Sequence, residues 1–238
     1  MNRLRKWLPG VGLSLFSLPA LCASVVTVHQ PGKTWSAGQA DTLSRLVTQP
    51  QLNNVWWQGA VIATPSATRR AQQTQQQVLA SLSAWQNRAD DERIATIRTV
   101  ATQIRSLRIV GRQFVSLDPD AVRTDARGDR SLEGRYDLWL SPAPRTVTLM
   151  GAVATPGKLA WRPGASIRDY LQGQLRLAGA DRNNVTVIDP DGSRVVAVAP
   201  VAYWNARHIE AEPGAVLWVG FDPRAVPDDF TGLNEQIV

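Results

Sequence analysis

Two stretches of this chain repeat one another, and the repetition limits the folds open to it. Residues 25–62 carry Pro31-Gly32-Lys33, then Trp35, Gly38, a short helical pattern and Asn53-Asn54-Val55. Residues 146–188 carry Pro156-Gly157-Lys158, then Trp161, Gly164, a short helical pattern and Asn183-Asn184-Val185. The spacing between the first and last motifs differs by five residues. The copies also end alike: Glu133-Gly134-Arg135-Tyr136-Asp137-Leu138-Trp139 matches Glu212-Pro213-Gly214-Ala215-Val216-Leu217-Trp218. Three matches in one order point to two copies of a small domain, at about 24–145 and 146–225.

Each copy reads as mixed α and β. In the second, residues 146–153 are β-rich, Thr155-Pro156-Gly157 is a turn, and 158–161 return as a strand. Ser166 with Asp169 is a capping-box variant opening a short helix that buries Ile167, Tyr170 and Leu171. Residues 185–188 and 194–198 flank Asp189-Pro190-Asp191-Gly192, a hairpin signal, and 216–219 form a last strand. Strand-strand-helix-strand-strand-strand, with one helix on a small sheet, predicts an α+β fold of β-grasp-like type. In the first copy, Asp41 is the expected cap of the equivalent helix, with Leu43, Leu46 and Val47 inward and Pro50 ending it. The first copy is longer by an insertion at about 64–108. There Pro65 starts a helix with Val78, Leu79, Leu82 and Trp85 on one face. Asp90, Asp91 and Glu92 open a second helix, with Ile94, Ile97, Ala101, Ile104 and Leu107 forming its stripe. The pair predicts an antiparallel helical hairpin with a solvated Gln- and Arg-rich face. Residues 226–238 form a tail, where Phe230, Leu233 and Ile237 predict a short C-terminal amphipathic helix. Residues 146–225, a full repeat copy, are expected to fold alone.

Residues 1–23 read as a secretory signal peptide: basic Arg3, Arg5 and Lys6, an apolar stretch over 7–18, and a cleavage pattern ending at Ala23. The rival is a lipoprotein modified at Cys22, but Leu21 stands where a lipobox wants a small residue. Soluble export is the expectation. Removing the three basic residues takes the net charge from +6 to +3, so no nucleic-acid partner is expected. The mature chain has no cysteine, which excludes a disulfide framework, and two histidines do not make a multi-His metal site. A hydrophobic fraction of 44% with 19% charged residues is an ordinary globular balance.

Val147-Thr148-Leu149-Met150-Gly151-Ala152-Val153-Ala154-Thr155-Pro156-Gly157, followed by Ser166-Ile167-Arg168-Asp169-Tyr170-Leu171 and Leu177-Ala178-Gly179-Ala180, resembles the SLBB-type β-grasp of polysaccharide export proteins. The chain from about residue 25 to 238 also resembles the capsule biosynthesis GfcC family. That resemblance is carried by residues 46–52, Trp56-Trp57, Gly111-Arg112, Leu117-Asp118-Pro119-Asp120, residues 178–185 and Trp204-Asn205-Ala206-Arg207-His208. It implies a periplasmic protein of capsule or exopolysaccharide assembly, with two SLBB-type domains, an inserted helical hairpin and a C-terminal amphipathic helix. Its implied partners are polysaccharide or the outer-membrane polysaccharide export machinery. The tail here ends at Val238, soon after its helical pattern begins.

No catalytic motif accompanies this. G-x-S-x-G, H-E-x-x-H and the P-loop are absent, and no sequence feature pairs His29 or His208 with a nucleophile. Asp118-Pro119-Asp120 and Asp189-Pro190-Asp191 mimic a metal-binding D-x-D, but turn chemistry explains both. Glu133 and Glu212, matched across the repeat, sit before turns in separate copies, which argues against a shared glycosidase site. The expectation is a non-enzyme without cofactor or metal. Trp residues stack on sugar C–H faces. Of the adjacent Trp56 and Trp57, a strand would bury one and leave the other freer; Trp57 is the candidate ligand contact. Trp85, Trp139 and Trp218 read as core. Arg112, beside Gly111, either snorkels, forms an ion pair or lines a polar cleft between the first sheet and the hairpin. Arg112 and Trp57 are therefore the candidate ligand-binding residues. The rival to glycan binding is a protein-interaction adaptor docking through the hairpin.

Overall fold

The computed structural model describes residues 24–238, apart from Gln39, Asn54, residues 125–127, 193–194, 203 and 205–206, and the side chains of 195–199. The signal segment and Cys22 lie outside the described residues, as does Arg194 at the start of an expected strand. The first half of the described chain runs β1 (Val25–Gln30), β2 (Lys33–Ser36), α1 (Leu43–Val47), β3 (Val61–Ala63), α2 (Pro65–Gln86), α3 (Asp91–Ser106), α4 (Pro119–Thr124) and β4 (Arg135–Trp139). The second runs β5 (Thr146–Gly151), β6 (Gly157–Ala160), α5 (Ile167–Leu171), β7 (Asn184–Ile188), β8 (Val195–Pro200), β9 (Val216–Val219) and α6 (Leu233–Ile237). This is a mixed α+β protein with two mixed sheets, ordered β2-β1-β4-β3 and β6-β5-β9-β7-β8. Each sheet has a central parallel pair, β1 with β4 and β5 with β9, flanked by antiparallel strands.

The closing strands of the repeat are topologically equivalent. Leu138 faces Val28 across the first parallel pair, and Leu217 faces Leu149 across the second. All four are fully buried. The Pro-Gly-Lys motifs are not equivalent. Pro31-Gly32 turns a tight hairpin with Gln30 opposite Lys33, and Gly32 takes φ +73°, where glycine meets no Cβ penalty. Lys158 instead faces Thr148, and the equivalent of Thr148 in the first sheet, Thr27, faces Ser36. The motif is displaced because the second hairpin is closed by a longer connection, with Ala152 and Val153 buried in its core.

Capping differs from the sequence expectation at α1. The Thr42 hydroxyl, not the Asp41 carboxylate, accepts from the backbone N–H of Arg45, while Asp41 pairs with the Arg45 guanidinium at 2.9 Å. Asp and Thr are both good N-caps; the choice falls to the residue that turns Leu43, Leu46 and Val47 into the core. At α5 the capping box of Ser166 and Asp169 is complete.

The hairpin α2–α3 is inserted between β3 and β4 of the first sheet, yet its apolar stripe joins the core of the second. Val78, Leu82, Trp85, Ile97, Val100 and Ile104 belong to one buried cluster with Leu149, Val153, Val219 and Phe221. Trp85 meets Phe221 edge to face at 4.7 Å. The Gln103 amide donates to the Gly151 carbonyl at 2.8 Å and accepts from its N–H at 2.9 Å. Leu107 caps α3 and is exposed rather than continuing the stripe. The tail is docked on the same core: Leu233 is buried, and the Asn234 amide bonds both backbone groups of Phe221 at 2.9 and 2.8 Å. The first sheet keeps its own core of Val26, Val28, Leu43, Leu46, Ile62 and Leu138. No helix among the described residues is long and apolar enough to cross a membrane.

Candidate functional site

After α3 the chain returns to the first sheet through Gly111, which lies against α2. Its N–H donates to the Thr68 hydroxyl at 3.1 Å, and a Cβ at this position would stand 2.1 Å from the Ala67 carbonyl carbon. Only glycine permits that approach. Arg112 follows, bridged to Ala63. Its guanidinium does not enter a cleft between the first sheet and the hairpin, as its position in the sequence suggested. It reaches across to the second unit and donates to the Pro190 carbonyl at 2.9 Å. Burial pushes the Arg112 pKa down, and the charge of Asp191 opposes that. Gly192, at φ +67°, packs so closely that a Cβ would lie 2.7 Å from Arg112 Nη1. Arg112 therefore fastens the β7–β8 turn to the first unit. That turn is closed by the Gly192 N–H donating to the Asp189 carbonyl at 3.1 Å.

Beside this fastening lies an open groove of about 930 Å³. Trp57, Gln58, Phe114, Ser116 and Asp118 line it from the first unit, and Asp191 closes it from the second. Trp57 also packs against the first core, whereas Phe114 is 65% exposed. Trp56 and Trp57 do not divide into one buried and one free ring: both are half-buried, and Trp57, which begins a 3-10 turn instead of continuing a strand, is the one packed on the core. Trp56 faces a neighbouring cleft with Pro142, Pro144 and Lys158, its ring pressed over Gly59 and Gly214. The groove thus presents two aromatic surfaces, one fixed and one exposed, among amide, hydroxyl and carboxylate groups.

The remaining candidates separate. Asp118-Pro119-Asp120 opens helix α4 instead of a turn, with the Asp118 carboxylate accepting from the Asp120 N–H at 2.9 Å. Arg123 pairs with Asp120. Glu212 accepts from the Gln58 amide, and Glu133 is exposed. No group of three or more His, Cys, Asp or Glu side chains converges among the described residues. Sequence reasoning missed the surroundings of His29. Its imidazole bonds Asp137 at 2.8 Å and stacks on Trp139 with centroids 3.7 Å apart. The Arg108 guanidinium lies 4.0 Å from the Trp139 ring centroid. Trp139 is consequently half-buried on the face of its sheet turned toward the hairpin and not a core residue like Trp85 and Trp218. Alternation along β4 placed Asp137 and Trp139 on the face opposite Leu138; only the parallel pairing with β1 brings His29 to them.

Residues 22–143 match the family described as "Capsule biosynthesis GfcC, N-terminal", and residues 155–238 match "Capsule biosynthesis GfcC C-terminal". This chain belongs to the capsule biosynthesis GfcC family. A relative from Escherichia coli K12, described as "Uncharacterized protein YjbG", is 42% identical over 199 residues, covering 84% of this chain and 80% of the relative. The resemblance read from residues 25–238 thus holds for the GfcC family, and membership ties the chain to capsule biosynthesis. The groove sits at the join of the two GfcC regions: Trp57 and Phe114 come from the N-terminal match, Asp191 and Gly192 from the C-terminal one.

Proposed function

We propose that this chain is a non-catalytic accessory protein of capsule or exopolysaccharide assembly, exported to the periplasm, that holds polysaccharide in the groove at its domain join. The observation that carries this reading is the pairing of Trp57 and exposed Phe114 with Gln58, Ser116 and Asp118 in one groove of about 930 Å³. Aromatic faces match the C–H face of a pyranose, and a few fixed polar groups meet its hydroxyls; that balance of apolar wall and sparse polar groups is the usual build of a ligand site. Arg112 serves the groove from behind, holding the two units that form its walls. Two β-grasp domains of SLBB type fit the repeated parallel-pair topology and make the outer-membrane polysaccharide exporter the expected partner. The rival adaptor reading has lost the hairpin's apolar stripe, which is spent inside the chain, and keeps only its Gln- and Arg-rich face.

The test is calorimetric titration of the mature protein with oligosaccharides released from the cognate polymer. Trp57→Ala should weaken binding about tenfold or more and also lower the melting temperature, because Trp57 packs against the first core; Phe114→Ala, at an exposed position, should weaken binding with the melting temperature close to that of the native protein. Unchanged affinity in that variant refutes the groove. Release of reducing ends by the native protein would replace the accessory role with an enzymatic one, and a diacylglyceryl group on Cys22 seen by mass spectrometry would replace soluble export with a lipid anchor.

A further inference from the structure

A second groove, sharing no lining residue with the first, opens on the second unit. Its volume is about 850 Å³, within the range of about 300–1,000 Å³ common to ligand sites. Four arginines line it: Arg168 on α5, Arg176 just beyond it, Arg182 before β7 and Arg207 after β8. Against them stands one lining acid, Asp169. Its carboxylate is committed to the helix cap, accepting from the Ser166 N–H at 2.8 Å and hydroxyl at 2.7 Å.

These arginines come from separate segments and meet around one concavity. Arg176 is half-buried, its guanidinium donates to the backbone carbonyl of Arg182, and the Arg182 charge is near enough to act on it. Burial lowers the Arg176 pKa most; Asp181 opposes this, and Arg182 lowers it further. The Asp181 carboxylate is itself engaged by the backbone N–H groups of Asn183 and Asn184, at 2.7 and 3.0 Å. Arg176 is the one partly desolvated member, while Arg168, Arg182 and Arg207 are exposed around it; a concavity lined by one sign of charge raises the local concentration of ligands of opposite sign. Gln172 and Gln174 add amides suited to hydroxyls, and Leu175, 69% exposed, supplies an apolar edge. A concave wall of guanidinium forks and amides fits a chain of anionic sugars better than the flat face of a bilayer.

We infer that this groove binds carboxylate-bearing sugar units, with Arg176, Arg182 and Arg207 as the anion-recognising forks. Arginine suits the task because its planar donors match a carboxylate in pairs. The inference rests on the reading of the chain as a polysaccharide-binding protein and adds a charge requirement and a second point of contact on the polymer.

The experiment titrates the full mature protein with hexagalacturonate and, separately, with maltohexaose as the neutral oligomer, at low and high salt. Arg182→Glu and Arg207→Glu are the variants, both at exposed positions, with Trp57→Ala as the control in the junction groove. Each charge reversal should weaken hexagalacturonate binding at least about tenfold, and rising salt should weaken it further. Maltohexaose binding should not respond to either reversal. If a reversal lowers the melting temperature, Arg182→Gln repeats the measurement with the charge removed and no new one added. Equal affinity for the two oligomers, or hexagalacturonate binding indifferent to the reversals, overturns the inference. Binding to phosphatidylglycerol vesicles without hexagalacturonate binding also overturns it and reassigns the groove to lipid headgroups. Loss of binding in the arginine variants with none in Trp57→Ala would sink the junction groove alone.

Discussion

Replacing Trp85 with alanine tests whether the inserted hairpin is a structural part of the second unit. Trp85 sits on α2, a helix that belongs by sequence to the first unit, yet it is fully buried against Phe221 and lies 6.4 Å from Phe230. Removing a buried Trp side chain costs about 3–5 kcal/mol from lost transfer and the cavity left behind, and the edge-to-face contact with Phe221 is part of that sum. In a chain of this size each kcal/mol moves the melting point by about 2–4 °C, so Trp85→Ala should melt about 6–20 °C lower. The location of the loss matters more than its size. Hydrogen exchange followed amide by amide should show reduced protection in β5 and β9 as well as in α2 and α3. If protection falls only in the hairpin, or if the melting point moves by less than about 2 °C, the shared core is refuted.

The same packing reverses an expectation drawn from the repeat. A fragment of residues 146–225 lacks the hairpin residues that close its core, so it should show no cooperative thermal transition; a sharp calorimetric peak for the fragment alone would show the hairpin dispensable. Arg112→Ala should lower stability by about 1–3 kcal/mol, because it removes a charged donor from the Pro190 carbonyl, and exchange should quicken in the β7–β8 turn; an unchanged melting point would deny the fastening role. Asp129 accepts from the Ser44 N–H and hydroxyl, both at 2.8 Å, which holds its carboxyl below the usual value of 3.8. A depressed folded pKa gives stability that is present above the unfolded pKa and lost as pH falls through the folded one. Asp129→Asn should therefore melt lower than the native protein at neutral pH, with the gap closing as pH falls below about 3.8; a gap that persists in strong acid counts against this contact with Ser44. Gly111→Ala should be among the most damaging single changes, since its Cβ would overlap backbone and not a movable side chain; a soluble variant with native melting would refute the close approach.

The local elements were legible in the sequence because their causes are local. Pro65 and the stripe of Val78, Leu82 and Trp85 define α2, Ser166 and Asp169 define the start of α5, and Asp189-Pro190-Asp191-Gly192 defines a turn. Each rests on backbone sterics, side-chain capping or helical periodicity within a few residues. The repeat also announced the two sheets, because equivalent strands bury equivalent positions such as Leu138 and Leu217. The sequence singled out Trp57 and Arg112 but not what each touches.

Long-range placement decided the rest. Periodicity shows that the hairpin has an apolar face but not which sheet covers it; that face was free to meet either core, and the second sheet took it because Phe221, Val219 and the docked tail leave a complementary apolar surface. Arg112 reads as a ligand contact or a structural one until the fold brings the Pro190 carbonyl to its guanidinium from 78 residues away. The arginines of the second groove lie on four separated segments and carry no spacing signal of their own. Composition and pattern along a chain fix which faces must be buried. Only the tertiary structure decides which partners bury them, because that choice is made by shape and charge between residues distant in sequence.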